Sequence, residues 1–374
     1  MKKLITNIIS DNVISALGFG SDSNFSELKA NKSGVKTYTL PNLDNISLPL
    51  GRINDALFSA AEKTIKDFDK YTRFEKLMIF SIEEALSKTS INPSSKDTLI
   101  IISTTKGNVD LIHDKSQRNK LSLWYSAEQI ANYFHAANKP VIVCNACISG
   151  VLAITYAHRL LSNNTFKHAI VVGADVLSDF VISGFNSFKS LSPGICKPFD
   201  AERDGLNIGE GAATIILSNE ITGEFSITSG ASANDANHIS GPSRTGEGLY
   251  QSIIHTISDN DKFDYISAHG TATPYNDDME SIALSRAGLS QIPVNSYKAY
   301  IGHTLGAAGI VETVFSLMSM KNNMLVKSLG CENQGVAEKL NVITENKTVI
   351  INKILKMASG FGGCNATMIV KRQV

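Results

Sequence analysis

Short apolar runs alternate with amphipathic or polar segments along most of the 374-residue chain. A continuous apolar run bounded by turn residues predicts a buried strand, whereas apolar residues at helical spacing predict a helix with one buried face. The runs predict strands at 4–10, 97–105, 140–143, 168–175, 212–218, 225–230, 263–268 and 293–296. The spacing predicts helices at 24–30, 55–87 (one or two helices), 127–135 and 248–258, and others beginning after 147 and near 277 and 305. The polar stretch that ends near 51 is expected to be irregular.

The order of these elements indicates one architecture used twice. Apolar strands that alternate with helices favour a mostly parallel sheet covered on both faces. The alternation stops at the polar segment 219–224 and then restarts. A chain of this length exceeds one ordinary hydrophobic core. The sequence therefore predicts an α/β protein with two related halves, 1–220 and 221–374, although no clear residue-level repeat joins them.

One junction combines a short apolar strand, a sharp turn and an apolar helix. Residues 140–154 read PVIVCNACISGVLAI, with Cys147 at the turn. The first turn of a helix presents unpaired N–H groups and the positive end of the helix dipole, and both stabilise a thiolate. This position makes Cys147 a candidate nucleophile whose thiolate is favoured over the thiol.

Other interpretations of Cys147 remain open at this point. A lone cysteine is most often a small buried apolar residue. Cys144 and Cys147 also form a C-x-x-C, a spacing found in redox pairs and in half of a zinc site. However, Cys144 falls in the strand pattern and is expected to point away from the turn. The remaining cysteines, Cys196, Cys331 and Cys364, have no Cys or His at ligand spacing, so no metal site is predicted.

The charge balance argues against partners that need a large basic surface. Lys and Arg together number 35, as do Asp and Glu. We therefore expect no nucleic-acid and no membrane binding, while a small basic patch for an acidic carrier is compatible with a neutral total. Five cysteines, an odd number, do not suggest a disulfide framework, and no signal-peptide core follows Met1. A cytoplasmic protein is the simplest expectation.

Four further stretches carry histidines or glycines where ligands commonly bind. His269 lies in 267–280 and His303 in 295–312, each after a predicted strand. The carboxyl ends of strands form the ligand-binding edge of an α/β sheet, so these histidines are candidates for chemistry. The other two stretches are the glycine-containing segments 197–212 and 359–366. Each stretch alone also suits an ordinary loop, but all four together with Cys147 are far more specific.

Together these segments resemble the β-ketoacyl-[acyl-carrier-protein] synthases, the elongating condensing enzymes of fatty-acid and type II polyketide pathways. The matching motifs lie within about residues 97–371: Asn-Ala-Cys-x-Ser-Gly from 145, Pro-Phe-Asp-x-x-Arg-Asp-Gly from 198, Gly-Glu-Gly-Ala from 209, His-Gly-Thr-x-Thr from 269, Gly-His-Thr-Leu-Gly-Ala-Ala-Gly from 302 and Gly-Phe-Gly-Gly-x-Asn-Ala from 360. The resemblance implies a dimer with the thiolase fold, in which two related α/β halves form five α-β-α-β-α layers.

The resemblance also implies an acyltransferase with a Cys-His-His catalytic set. Cys147 would take an acyl group from carrier-protein phosphopantetheine by thioester exchange. His269 and His303 would hydrogen-bond the thioester carbonyl of malonyl-carrier and stabilise the enolate that forms as carbon dioxide leaves. That enolate would attack the acyl thioester in a decarboxylative Claisen condensation. Lys298 and Glu312 match an ion pair that holds the histidines.

Further roles follow from the same resemblance. Backbone N–H groups of Cys147 and Phe361 would form an oxyanion hole, and Phe361 would also gate the acyl pocket. Thr271 and Thr273 match the threonines that bind the pantetheine arm. No cofactor of the enzyme itself is implied, because that arm belongs to the carrier-protein substrate. The implied partners are an acyl carrier protein bearing acyl or malonyl groups and a second subunit, either an identical chain or a ketosynthase-like partner.

Several departures from the family pattern bear on the substrate. The usual N-terminal Gly-x-Gly is replaced by the sequence NIISDN from residue 7, and the chain is short before Cys147. Cys364 stands where the family has threonine, and the acyl-pocket segment 103–107 is more polar than in fatty-acid enzymes. Saturated chains and specialised polyketide or polyene chains are both open. So is the active-subunit role in a heterodimer of a ketosynthase with a chain-length factor.

Other proteins of this kind fit the residues less well. A degradative thiolase would carry a second catalytic cysteine, and an acetyl-CoA-primed synthase would carry asparagine near the position of His303. A non-catalytic chain-length subunit typically lacks the nucleophile that Cys147 provides. A cysteine hydrolase would need a water path that condensing enzymes exclude.

Overall fold

The computed structural model describes residues 5–373, which fold into alternating strands and helices. The strands in this range are β1 (Thr6–Ser15), β2 (Gly18–Phe19), β3 (Val35–Leu40), β4 (Ile46–Gly51), β5 (Thr98–Ser103), β6 (Val141–Val143), β7 (His168–Asp175), β8 (Gly211–Ser218), β9 (Phe225–Asn234), β10 (Tyr265–Ser267), β11 (Pro293–Asn295), β12 (Met324–Leu325), β13 (Asn341–Val342), β14 (Lys347–Thr348), β15 (Lys353–Gly360) and β16 (Cys364–Arg372). The α-helices are α1 (Ser21–Lys29), α2 (Asp55–Glu62), α3 (Arg73–Leu86), α4 (Leu123–Tyr133), α5 (Ser149–Ser162), α6 (Asp179–Ser187), α7 (Glu247–Thr256), α8 (Pro274–Arg286), α9 (Lys298–Ile301) and α10 (Ala308–Lys321). None of the helices among residues 5–373 is long and apolar enough to cross a bilayer.

Helices α5 and α10 form the central layer of the molecule. Every residue of α10 except its last, Lys321, is buried. This helix packs against β1, β7 and β8 on one side and against β10 and β15 on the other. Helix α3 covers β1, β7 and β8 from outside, while α7 covers β9 and β16 and contacts α8. The order helix, sheet, helix, sheet, helix confirms the predicted five-layered α/β arrangement.

The strands follow one hydrogen-bonded path in the order β13-β11-β10-β15-β16-β9-β1-β8-β7-β5-β6, with β2 paired to β1. Pairs toward the two ends are parallel, as β5 is with β6 and β7, and β10 with β11 and β15. Pairs in the middle are antiparallel, so the prediction of a mostly parallel sheet is wrong there. The reason is visible between β15 and β16, where the short turn 361–363 allows a hairpin but not a parallel crossover.

Two predicted segments differ from the structure. The stretch before Gly51, expected to be irregular, contains the hairpin of β3 and β4. Much of this hairpin is exposed, so its sequence lacks a clear apolar alternation. The predicted helical region 55–87 is two helices, α2 and α3, separated by a turn at Asp67 with φ 55°. Helix α3 begins at Arg73 because Thr72 and Glu75 form a capping box, in which each side chain accepts from the other residue's backbone N–H.

The two central helices touch where both lack a side chain. A Cβ atom placed at Gly309 would lie 2.4 Å from the backbone nitrogen of Val151. One placed at Gly150 would lie 2.7 Å from the backbone nitrogen of Ile310. This contact brings the start of α5, which follows the Cys147 turn, against the start of α10, which follows the segment 302–307.

We predict that Gly309→Ala lowers the free energy of unfolding by about 2–3 kcal/mol, because the added methyl group meets backbone atoms that cannot rotate away. Gly184→Ala in α6 is the matched control, since no atom lies within 4 Å of a Cβ atom there. That variant should be equally stable or more stable by up to about 1 kcal/mol. Urea denaturation measures both, and a Gly309→Ala protein as stable as the parent would contradict the close helix contact.

Candidate active site

Cys147 lies in the turn between β6 and α5, and 9% of its surface is exposed. The turn is sharp because Ala146 takes the left-handed conformation with φ 43°. Ser149 closes the turn, since its hydroxyl accepts from the N–H of Asn145 at 2.8 Å and donates to the carbonyl of Ala146 at 2.6 Å. The cysteine is therefore held on a rigid backbone at the base of the central helix.

His269 and His303 reach the same place from two other segments. His269 follows the end of β10, as predicted, whereas the short helix α9 stands between β11 and His303. One ligand atom of each residue, the sulfur of Cys147 and a ring nitrogen of each histidine, lies within 4.8 Å of the other two. The imidazole rings meet edge to face, with centroids 5.1 Å apart. The structure thus brings together the three side chains that the sequence nominated.

Two carboxylates of α8 hold the loop that carries His269. Glu280 accepts from the backbone N–H of His269 at 2.7 Å and of Gly270 at 2.6 Å. Asp277 accepts from the N–H of Thr271 at 3.0 Å. Burial raises the pKa of Glu280 to about 7, and the nearby Asp277 adds to the rise. Sequence reasoning gave these acids no role, although their spacing of three residues places them on one helix face.

A buried group of three charges lies behind the histidines. The Nζ atom of Lys298 is 2.6 Å from Oε1 of Glu312, and the Nζ atom of Lys356 is 2.5 Å from Oε2 of the same carboxylate. All three side chains are nearly inaccessible to solvent. Sequence reasoning missed Lys356, whose signal was a single charge inside the apolar strand 354–358.

Burial keeps both histidines neutral. It lowers the pKa of His269 and of His303 well below the usual 6.5, and the ammonium groups of Lys298 and Lys356 lower both further. Lys298 donates to the carbonyl of His269 at 2.5 Å and lies 3.3 Å from its Nδ1. Nδ1 therefore accepts and Nε2 carries the proton. These ammonium groups also oppose the binding of a divalent cation beside the two rings.

The pKa of the Cys147 thiol is shifted in the direction opposite to the one that the sequence predicts. Burial raises its pKa to about 12, and the opposing effect of Lys298 is smaller. Burial of the sulfur therefore opposes the preference for the thiolate that its place near the helix start predicts. A neutral histidine nearby can instead accept the proton as the sulfur attacks.

The structure also bears on two further sequence predictions, the position of Cys144 and the role of the polar segment 103–107. Cys144 follows the end of β6 and is exposed, so it does not lie within the strand. In the segment 103–107, the hydroxyl groups of Thr104 and Thr105 donate to Asp175 at 2.8 and 3.3 Å. Asp175 also accepts from the N–H of Gly306 at 2.7 Å. These threonines therefore tie the loop after β5 to the segment before α10, whereas Lys106 of the same segment lines a cavity next to Phe361.

A cavity of about 480 Å³ contains the reactive side chains. The lining residues that concern the chemistry are Cys147, His269, Thr271, Thr273, His303 and Phe361. The hydroxyl oxygens of Thr271 and Thr273 are 2.8 Å apart. A second cavity of about 1020 Å³ shares Phe185, Phe188 and Phe361 with the first. Phe361 stacks on Phe185 with centroids 5.6 Å apart and meets the edge of Phe188 at 5.7 Å.

Solved structures with the same architecture define the fold. The chain aligns with the structure of a ketosynthase (ApeO) in complex with its chain length factor (ApeC) from Xenorhabdus doucetiae, at a TM-score of 0.85 and 23% identity, covering 99% of this chain and 98% of that one. It also aligns over 100% of both chains with the ishigamide ketosynthase/chain length factor, at a TM-score of 0.91 and 20% identity. The fold is the thiolase fold of ketosynthases.

The amino-acid sequence identifies the family within this class. Residues 22–221 match the N-terminal domain of beta-ketoacyl synthases, and residues 225–332 match the C-terminal domain. The chain is 28% identical to 3-oxoacyl-[acyl-carrier-protein] synthase 2 of Rhizobium meliloti (strain 1021) over 98% of each chain. It is 29% identical to the synthase of that name from Coxiella burnetii (strain RSA 493 / Nine Mile phase I), over 62% of this chain and 61% of that one. The chain belongs to the β-ketoacyl synthase family.

The buried charges generate a stability prediction. Lys298→Ala and Glu312→Ala should each cost about 3–5 kcal/mol, because each breaks the buried ion pair between the two side chains. Glu312→Ala should cost more, since both lysines then lose their carboxylate. The double variant should lose at least about 1 kcal/mol less than the sum of the singles. Urea denaturation of the four proteins measures this coupling.

Lys197→Ala is a control for this series, because Lys197 forms an exposed pair with Glu202 at 2.7 Å. An exposed pair contributes little, so this change should leave the stability essentially unaltered. Strictly additive losses for Lys298 and Glu312 would show that the two charges do not act as a pair.

Proposed function

We propose that the protein is a β-ketoacyl-[acyl-carrier-protein] synthase of the Cys-His-His type, which joins an acyl group on Cys147 to malonyl-carrier with loss of carbon dioxide. The observation that carries the proposal is the meeting of a buried cysteine with two neutral histidines, His269 and His303, in one cavity. Membership in the β-ketoacyl synthase family supports the same reaction.

In the first half-reaction, the sulfur of Cys147 attacks the thioester carbonyl of the acyl-carrier. Its proton passes to a neighbouring neutral imidazole and then to the departing pantetheine sulfur. The backbone N–H groups of Cys147 and Phe361 serve as the oxyanion hole. The absence of a side chain at Gly360 supports this, because a Cβ atom there would lie 3.0 Å from the backbone nitrogen of Cys147.

In the second half-reaction, the histidines act as hydrogen-bond donors. The Nε2–H of His269 and an N–H of His303 bind the malonyl thioester oxygen, on which negative charge develops as the carboxylate is lost. The resulting carbanion attacks the carbonyl carbon of the acyl-Cys147 thioester. The sulfur then leaves as a thiolate and takes up a proton from solvent, because its original proton left with the pantetheine thiol, and this regenerates the resting site.

The remaining site residues take positioning roles. The adjacent hydroxyl groups of Thr271 and Thr273 bind the pantetheine arm in the smaller cavity. Phe361 acts as a gate, since its ring is part of the wall of both cavities. Lys298 and Glu312 hold the loop of His269 and the start of α10 as an ion pair. The pantetheine arm arrives on the carrier protein, so the enzyme itself supplies no cofactor.

The proposed partners are an acyl carrier protein and a second subunit. We divide the chain into halves 1–220 and 221–374, and the family matches support this because one ends at 221 and the next begins at 225. A homodimer is the primary proposal. The alternative is the active subunit of a heterodimer with a chain-length factor, which the likeness to two ketosynthase–chain length factor structures favours.

The protein produced alone should transfer an acyl group from an acyl-carrier to Cys147 and condense it with malonyl-carrier. Intact-mass analysis and peptide mapping locate the acyl group, and light scattering gives the oligomeric state of the active fraction. Cys147→Ala should abolish acylation, whereas Cys144→Ala should keep it, because Cys144 lies exposed after β6. Acylation without condensation until a partner subunit is added would favour the heterodimer, and acylation of Cys144 instead would contradict the nucleophile assignment.

His303→Ala should separate the half-reactions. The decarboxylation of malonyl-carrier should fall by about 10²-fold or more, because one of two donors to the developing enolate is lost. Some acyl transfer to Cys147 should remain, since the oxyanion-hole N–H groups are untouched. Rates of carbon dioxide release and of acyl-enzyme formation are the measurements, and an equal loss in both would imply a structural role for His303.

A further inference from the structure

Lys356 is a fully buried cation that no step of the proposed reaction uses. It lies on β15, beyond the residues matched by the family's C-terminal domain. Its relative exposure is 0%, and its neighbours Leu355 and Met357 are buried apolar residues. A lysine in such a strand costs free energy unless its charge is paired. Its buried position therefore requires a partner of opposite charge and suggests a role in the function of the site.

The contacts of Lys356 lead directly to the active site. Its Nζ atom is 2.5 Å from Oε2 of Glu312 and 3.2 Å from the carbonyl oxygen of Ala268. Ala268 immediately precedes His269. Lys298 takes the other oxygen of Glu312 and the carbonyl of His269. Successive carbonyls of one loop are thus held by the two lysines, while a single carboxylate is shared between them.

The two imidazoles face two cations that share one carboxylate. The cations facing them are Lys298 of α9 and Lys356 of β15, and the facing anion of α10 is Glu312. Helix α8 contributes Asp277 and Glu280, whose oxygens accept from backbone N–H groups of the loop 269–272. The remaining titratable group is the thiol of Cys147. The two lysine charges thus share one carboxylate in direct contact, next to the site where the enolate would form.

We propose that Lys356 is a positioning residue for the condensation reaction, which fixes the loop of His269 and supplies positive charge behind both histidines. This inference rests on the proposed function. The charge stabilises the negative charge that develops on the malonyl thioester oxygen, and it disfavours protonation of the imidazoles that must donate to that oxygen. Lys356 touches neither substrate nor reacting atoms, so it acts through His269, His303 and Glu312.

The test replaces Lys356 with an uncharged side chain of similar volume. In Lys356→Met, kcat for malonyl-carrier decarboxylation should fall about tenfold with KM changed less than about twofold, since only the transition state gains charge. Activity requires neutral imidazoles, and loss of a nearby cation raises their pKa. The acid limb of the pH profile should therefore move up by about one pH unit. Lys356→Gln removes the charge but can still hydrogen-bond to Ala268, and it should show the same shift. This second variant provides the test if Lys356→Met does not fold.

Lys353→Met is the matched control. Lys353 lies on the same strand and pairs with Asp261, away from the histidines, so its loss should leave the pH profile unchanged. Titration of the histidines by NMR in ¹⁵N-histidine-labelled protein gives a readout without substrate. An upward pKa shift of His269 and His303 in Lys356→Met and Lys356→Gln supports the proposal.

Each failure has a separate meaning. If the parent protein releases no carbon dioxide from malonyl-carrier, either alone or with a partner subunit added, the proposed function fails, while the NMR titration still measures the effect of Lys356 on the imidazoles. If the parent is active, and both Lys356 variants keep its pH profile, histidine pKa values and kcat within about twofold, Lys356 has only a packing role and the proposal is wrong.

Discussion

Glu312 is a carboxylate buried at the centre of the molecule, where an unpaired charge would be strongly destabilising. Taking an ion out of water costs several kcal/mol even after relaxation. Lys298 on α9 and Lys356 on β15 pair with the two oxygens. Because these charges come from three separate elements, their pairing fixes α9, α10 and β15 relative to one another. Both histidine positions depend on that arrangement, since His303 follows α9 and the loop of His269 is held by the lysines.

The burial that makes these charges costly also determines the reactivity of the site. It raises the pKa of Cys147 to about 12 and lowers the pKa of His269 and of His303 well below 6.5. The resting site thus holds a thiol and two neutral rings. In the proposed reaction that combination suits both half-reactions, because one ring can take the thiol proton and both rings can later donate to an enolate oxygen. A resting thiolate is not required.

The candidate catalytic residues could be nominated from sequence because the chemistry proposed for them is carried by short, local patterns. Cys147 at a strand-to-helix turn and His269 at a strand end stand in the cavity where these patterns placed them. Lys356 was missed because its partner lies 44 residues away and only the folded sheet brings the two together. The pKa of Cys147 was missed for a related reason, since its desolvation arises from tertiary packing that helix position alone does not describe.

The two cavities give a physical basis for substrate choice in the proposed reaction. The smaller holds the reactive groups and the threonine pair, while the larger is walled by α6 residues such as Phe180 and Val181. Phe361 belongs to both, and the turn that carries it has positive φ angles at Gly362 and Gly363. A Cβ atom at Gly363 would lie 2.2 Å from Asp235, so the turn is packed tightly on that side. A change in access between the cavities therefore falls first to rotation of the Phe361 ring. In the proposed reaction, an acyl chain beyond that ring would meet the apolar residues of α6 and also Lys106 of the polar segment 103–107, which lines the same cavity.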